Sequence, residues 1–416
     1  MTLSRRRCFA MVAPAVLRAS TEIRRAIFRP SPRPGVAVMA FAWYTARRGG
    51  AMVSIEQHWT RSDTIDIAYV SHSRDHGRTW GERTQRLTGE KTARGMLRRH
   101  LRGGWVDERS GRFIELWNEG VLPSDDPLEG LRQWKIYYRV NGRAHAVVHR
   151  GAEYSPEHPL PGVWTGKNSV MLGDSGYNVV TLRDGTFLLP VTLAPLSPDG
   201  TLQNPNGAYT FHHAAVLRGQ WRGERIEWEM SNLIEADPRR ASRGMDEPSI
   251  TRLNDRQLML VMRGANDKLP GVPGYKWTSL SADEGRTWSA PQPWLYDDGT
   301  NFFSPSACSQ LVPHSSGRLF WLGNITPGNP RGNRPRYPFV MGEVNRATGR
   351  LVRQSVRVVD NLGAGEDPIL TLSNFYARED RQTKEIALHM TRLFAYDKAV
   401  KPSGWEGDAF LYRIPV

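Results

Sequence analysis

Two stretches of the chain, SHSRDHGRTWGE at residues 71–82 and SLSADEGRTWSA at 279–290, keep Ser, Asp, Gly, Thr and Trp at the same offsets. Their aspartates, Asp75 and Asp283, stand 208 residues apart in a chain of 416. A smaller unit recurs around them, each time a turn followed by an apolar strand: PRPG before VAVMAFAW, ERSG before RFIELW, RDG before TFLLPV, NDR before QLMLVM, HSSG before RLFWL and REDRQT before KEIALHM. The spacing is about 69 residues, which is one-sixth of the chain and one-third of the distance between the two longer stretches. The two stretches therefore lie three units apart in a six-unit protein.

Each unit carries a later strand as well, among them IDIAYVSHS, WKIYYRV, AYTFHHAAVL, YKWTSLS, PFVMGEV and DAFLYRIPV. Period-two alternation, β-branched and aromatic enrichment and Gly/Pro punctuation all read as strands, and segments of helical period are nearly absent. Four-stranded units repeated radially give an all-β fold, a six-bladed β-propeller of four-stranded antiparallel blades. Residues 21–416 are expected to form this single propeller. The last unit supplies three evident strands, so its outer strand is expected from the N-terminus, where RCFAMVAPAVL would serve. The same segment, residues 1–20, has a basic start and an Arg6-Arg7-Cys8-Phe9 run like a twin-arginine export signal. It reads as either an export signal or a closing strand, which leaves a cytoplasmic and an exported location both open.

Hydrophobic residues make up 39% of the chain, enough for a sizeable core, and the formal net charge is +14 with only eight lysines. An arginine-dominated surface suits carboxylate, sulfate or phosphate partners, because a guanidinium offers two parallel donors. No basic run interleaved with aromatics marks a nucleic-acid tract, and no apolar run is long enough to span a bilayer. Cys8 and Cys308 permit at most one disulfide, and His212 and His213, adjacent in a strand, point to opposite faces. No metal or other cofactor is expected.

The pattern S-x-D-x-G-x-T-W, present at Ser73–Trp80 and Ser281–Trp288, resembles the Asp box of the sialidase (neuraminidase) superfamily of BNR-repeat propellers. Such a box staples the turn between the third and fourth strands of a blade, with the glycine at positive φ. That turn shares an end with the turn between strands one and two. The working mouth is then the opposite end, where the long loops 44–64, 118–133, 193–207, 264–275, 324–336 and 394–407 lie. His72, Asp75 and His76 fall on the other end, away from the chemistry.

Positions entering each first strand and leaving each second strand give a polar ring at the mouth: Arg25, Trp105, Asn178, Glu247, Ser306 and Asp367, then Arg47, Asn118, Thr192, Arg263, Asn324 and Arg392. Of these, Arg47 and Asn178 are expected to help bind substrate. The resemblance implies an exo-acting glycoside hydrolase that removes a terminal acidic sugar, the glycan being its partner. Arg25, Arg263 and Arg336 (or Arg334) would clamp the sugar carboxylate. Asp63, or Asp66 in the following strand, would be the acid/base, and Glu247 would assist a tyrosine nucleophile, Tyr376. Asp367 competes with Tyr376 for the place beside Glu247. The alternative is a glycosidase of another specificity using Glu247 with Asp63 or Asp367 as a carboxylate pair, or a uronic-acid lyase, and a non-catalytic glycan-binding propeller is the third possibility.

Overall fold

A computed structural model describes residues 22–140, 144–147, 160, 162–164, 166–173, 178–396 and 404–416. Among these residues the chain is all β apart from one short α-helix, Gly130–Gln133, and two turns of 3-10 helix. The strands form six antiparallel sheets of four or five strands and one smaller three-stranded sheet.

The first sheet runs Ala37–Tyr44, Met52–Trp59, Ile67–Ser73, Thr84–Arg86, each strand pairing with the next. The fourth, Asp246–Arg252, Leu258–Arg263, Lys276–Ser281, Gln292–Pro293, repeats that order, and the fifth, from Gln310 to Asp360, does the same. The second and third sheets span 89–147 and 170–230. Adjacent sheets bury apolar faces against each other in succession. Phe41, Trp43 and Ile55 meet Leu101 and Phe113, then Ile114 and Leu116 meet Phe187 and Leu189, then Leu188 and Val216 meet Leu260 and Met262. Met259 and Val261 go on to meet Trp321 and Val340, and Phe339 meets Phe375 and Leu388. The sixth sheet returns to the first, where Phe28 and Ala409 pack on Val38 and Ala40. Strands covered on both faces lose the alternation of a half-exposed sheet, which explains the unbroken apolar runs.

The sixth sheet is closed by the N-terminal part of the chain, through a different segment from the one expected. Arg24–Arg29 pairs with Ala409–Ile414 at the outer edge of the sheet that also holds Phe375–Glu379 and Ile386–Thr391. Arg24 reaches Glu385 at 2.5 Å, Arg25 reaches Asp360 at 3.1 Å and Arg29 reaches Glu56 at 3.2 Å, so the strand is tied to its own sheet, the fifth and the first. The segment 1–20, with its rival readings, lies outside the described residues.

A second correction concerns 44–64, expected as one long mouth loop. It contains the buried strand Met52–Trp59, disguised in the sequence by Ser54, Glu56, Gln57 and His58. Buried polar groups are tolerable only when bonded. Gln57 donates to the Leu101 carbonyl at 2.7 Å, and Glu56 is held by His58 and Arg83 at 2.9 and 2.8 Å. The mouth loop of this sheet is thus only the turn after Trp59.

Both Asp boxes connect the third and fourth strands and are nearly superimposable in chemistry. Asp75 accepts from Ser73 Oγ at 2.8 Å, from the Thr79 amide at 2.9 Å and from Thr79 Oγ1 at 2.6 Å. Asp283 does the same with Ser281 and Thr287 at 2.8, 2.9 and 2.7 Å. Gly77 and Gly285 each have φ of 78°, where a side chain would be strained.

Candidate active site

At the end opposite the Asp boxes a cavity of about 380 Å³ opens, lined from every part of the chain between Trp59 and Trp405. Its walls include Asp63, Tyr209, Thr210, Arg243, Asp246, Glu247, Arg263, Cys308 and Arg336.

Asp63 sits in the tight turn closed by the bridge between Arg61 and Thr64, with φ of 54°. Its Oδ2 accepts from Ser62 Oγ at 2.7 Å and from the phenol of Tyr209 at 3.0 Å. Tyr209 is half-exposed on the segment leading into the strand His213–Arg222. Asp66, the alternative acid, instead holds the amide and hydroxyl of Thr60 at 2.9 and 2.8 Å and does not line the cavity.

Glu247 also has a positive φ, 44°. Left-handed backbone costs a non-glycine residue about 1–2 kcal/mol, and two of the three carboxylates lining this cavity, Asp63 and Glu247, adopt it. Burial alone would raise the Glu247 pKa, but the Arg263 guanidinium at 2.7 Å and the Cys308 hydrogen bond together outweigh it and hold the value below that of an ordinary glutamate. Cys308 Sγ donates to the same carboxylate oxygen at 3.0 Å. Beside it, burial would raise Asp246 too, yet His212, Arg263 and Arg243 together keep it well below its usual range.

Three arginines gather at this wall. Arg263, at the end of Leu258–Arg263, donates from Nε to Ser306 Oγ at 2.8 Å while its Nη1 holds Glu247. Arg336 donates from Nε and Nη2 to the Ser306 carbonyl at 3.2 and 2.8 Å and from Nη1 to Ser373 Oγ at 3.1 Å. Arg243 is buried, donates to Thr210 Oγ1 at 2.6 Å and leaves its Nε without a hydrogen-bond partner. Burial, and then the neighbouring Arg263, lower the Arg336 pKa to about 10 and that of Arg243 as well. Despite burial, Arg263 is instead stabilised as a cation by Glu247 and Asp246, and three guanidiniums converging on one wall form a ready anion-binding surface.

The cavity brings together Asp63, Glu247, Arg263 and Arg336, with Arg334 at its rim. Asn118 and Thr192 of the expected polar ring also line it, and the remaining expected residues lie elsewhere. Arg25 belongs to the closing strand and is bound to Asp360, because 24–29 is the outer strand of the sixth sheet rather than an inner strand of the first. Arg47 lies on the turn between the first two strands, at the Asp-box end, where Gly50 bridges Asp75 and the Arg47 guanidinium holds the carbonyls of Glu108 and Arg109. Tyr376 is packed against Trp43, ring centroids 4.9 Å apart, and burial pushes its phenol up to about 12. Asp367 is exposed and accepts from the Ile369 amide at 2.9 Å, as a turn cap. Asn178 donates to the Leu311 carbonyl and accepts from Gln310, tying two sheets together. Asn118, at the cavity wall, holds the backbone of Leu172, and Asn324, away from it, holds that of Arg336, Pro338 and Leu372. Arg392 is locked to Asp360 at 2.6 Å and to Glu366.

The sequence reading missed Tyr209 and Arg243. Arg243 stands four residues before Glu247, after a turn that leaves no periodic signal. Tyr209 looked like the start of a strand that in fact begins at His213. Among the described residues no group of three His, Cys, Asp or Glu side chains is placed to hold a metal ion.

A ring of short antiparallel sheets with repeated Asp boxes and a charged axial cavity defines a class of propeller, and the comparisons identify it. The model of the BNR repeat-like domain matches residues 143–372, and the chain belongs to that family. Its fold is that of the sialidase superfamily. The NanB sialidase of Streptococcus pneumoniae superposes with a TM-score of 0.58 at 12% identity, covering 91% of this chain and 68% of that one. The Trypanosoma rangeli sialidase, in complex with the inhibitor DANA, gives 0.54 at 12% identity over 90% of this chain, which spans only 54% of the trypanosomal protein. A protein of unknown function from Dyadobacter fermentans gives 0.57 at 12% identity and is matched over 99% of its length. No curated protein matches the sequence.

Proposed function

We propose that this protein is a six-bladed, sialidase-fold glycoside hydrolase that binds the terminal acidic sugar of a glycan in the axial cavity and cleaves its glycosidic bond. The observation that carries this reading is the wall of Arg243, Arg263 and Arg336, three guanidiniums, the first two on buried residues, facing a cavity that also contains Asp63, Tyr209 and Glu247. The arginines receive the sugar carboxylate. Asp63 gives a proton to the leaving oxygen as the anomeric bond breaks, and water adding to the anomeric carbon returns a proton to it. The Tyr209 hydroxyl can accept from Asp63 when the acid is protonated and donate to it when ionised, so it steadies both halves of the cycle. Glu247, kept ionised by Arg263, stabilises the positive charge that develops at the anomeric centre.

Release of 4-methylumbelliferone from an α-sialoside or a β-glucuronide, lost in Arg263→Ala and Asp63→Asn, tests the proposal. Folded protein without turnover of either compound would refute it. A second reading, elimination at a uronic acid, is favoured by one feature: the tyrosine that meets the cavity is Tyr209, paired with a carboxylate, and not Tyr376. An unsaturated, ultraviolet-absorbing sugar product would decide for elimination.

A further inference from the structure

Lys276 is wholly buried and stands opposite Arg263 in the antiparallel pairing of Leu258–Arg263 with Lys276–Ser281. Two cations placed as cross-strand neighbours in the interior repel each other and lose hydration. The arrangement therefore needs a reason beyond packing.

The contacts of the amine supply one. Lys276 Nζ donates to the carbonyl of Ala307 and, at 3.4 Å, to that of Pro305. Those two carbonyls bracket Ser306, whose hydroxyl accepts from Arg263 and whose carbonyl accepts from Arg336. One residue further on, Cys308 meets Glu247. A single buried amine thus fixes the four residues that orient two arginines and one carboxylate of the cavity, while Lys276 itself does not line the cavity.

We propose that Lys276 is the positioning residue of the anion site: its ammonium clamps the segment Pro305–Cys308 and so holds Arg263, Arg336 and Glu247 in their places at one wall. The anion site is the one on which the proposed hydrolase rests. Four groups face the amine, namely Cys308 from the clamped segment, Arg263 from the paired strand, Glu247 from the first strand of the sheet, and Arg336 from the fifth sheet's loop. Burial, above these neighbours, brings the Lys276 pKa down to about 7. Below that pH the charge-assisted bonds to both carbonyls are at full strength. Above it the amine is neutral and the clamp weakens.

Backbone hydrogen exchange of the peptide spanning 304–309, read by mass spectrometry, reports the clamp without any substrate. Protection, corrected for the intrinsic rate, is expected to fall between pH 6 and pH 8.5 in the native protein. In Lys276→Met it is expected to be at least tenfold lower than native at pH 6 and insensitive to pH, and Lys276→Gln, whose amide still donates, is expected to recover part of it. Calorimetric affinity for N-acetylneuraminic acid or glucuronic acid falls at least tenfold in Lys276→Met. Lys276→Met protection equal to native at pH 6 overturns the proposal. If Lys276→Met does not fold, Lys276→Gln is compared with native at pH 6, and protection equal to native overturns the proposal. If neither sugar acid binds any variant, the carboxylate-binding reading fails, while the exchange data still decide the role of Lys276.

Discussion

Tyr209 donates its phenolic hydrogen to Asp63 at 3.0 Å, joining the turn after the second strand of the first sheet to a segment 146 residues away. The bond places a hydrogen-bonded carboxylate in the lining of the arginine-walled cavity. Asp63→Asn is expected to lower kcat by about 10²–10⁴-fold, the range for loss of a general acid/base. Tyr209→Phe should lower it less, and the double variant should fall no further than Asp63→Asn, since paired groups act as one unit. Steady-state release of a fluorogenic aglycone measures all three. The φ of 54° at Asp63 adds a stability check: Asp63→Ala should be about 1 kcal/mol less stable than Asp63→Gly, because only glycine takes left-handed backbone without strain.

Arg263 is bonded at once to Ser306, Glu247 and Asn333. An ammonium cannot reproduce that planar fork. Arg263→Lys is expected to weaken sugar-acid binding by about 10–100-fold, equivalent to one or two charge-assisted hydrogen bonds. Arg263→Ala should also raise the Glu247 pKa, because burial then acts without its counter-charge. Isothermal titration against pH reads both effects.

Tyr376 lies in the core against Trp43, at the start of the sixth sheet. Tyr376→Phe should change kcat by less than about twofold, since it alters no group facing the cavity. Tyr376→Ala should cost about 3–5 kcal/mol of stability, as other large-to-small core substitutions of an aromatic do. A large drop in kcat for the phenylalanine variant, with an unchanged melting temperature, would contradict this placement.

Acid should loosen the seam between the closing strand and the first sheet. Burial tends to raise the Glu56 pKa, but His58, Arg83 and Arg29 outweigh it and lower the value. A carboxylate whose pKa is depressed on folding contributes stability that is present above its ordinary pKa and is lost as the pH falls through the folded value. Glu56→Gln should therefore be about 2–4 kcal/mol less stable than native at pH 7, with the gap closing below about pH 4. Urea unfolding at several pH values gives the comparison.

The strands and their grouping were legible because burial leaves a local trace: turn residues, then an apolar run, six times over. The Asp boxes were legible for the same reason, each being complete within eight consecutive residues. Their position also told which end of the molecule carries the cavity. The strand Met52–Trp59 was hidden because four of its buried side chains are polar, and their partners, Leu101 and Arg83 among them, come from other strands. Misreading it as a loop moved Arg47 to the wrong end of the sheet. Treating Arg25 as part of the first sheet came from the same gap: nothing local says that a strand at 24–29 pairs with one at 409–414.

By itself the sequence determined the all-β class, the paired Asp boxes and the end at which the cavity opens, and it picked out two residues of the cavity wall whose signal is local to a strand terminus, Glu247 and Arg263. Only the tertiary structure decided which other groups share their cavity. Asp63 meets Tyr209, Arg336 meets Ser306, and Lys276 holds the segment between them, through contacts that join residues tens to more than a hundred positions apart. Periodicity records which face of a strand is buried, whereas a charge finds its partner through the closure of the whole ring of sheets, which no local pattern encodes.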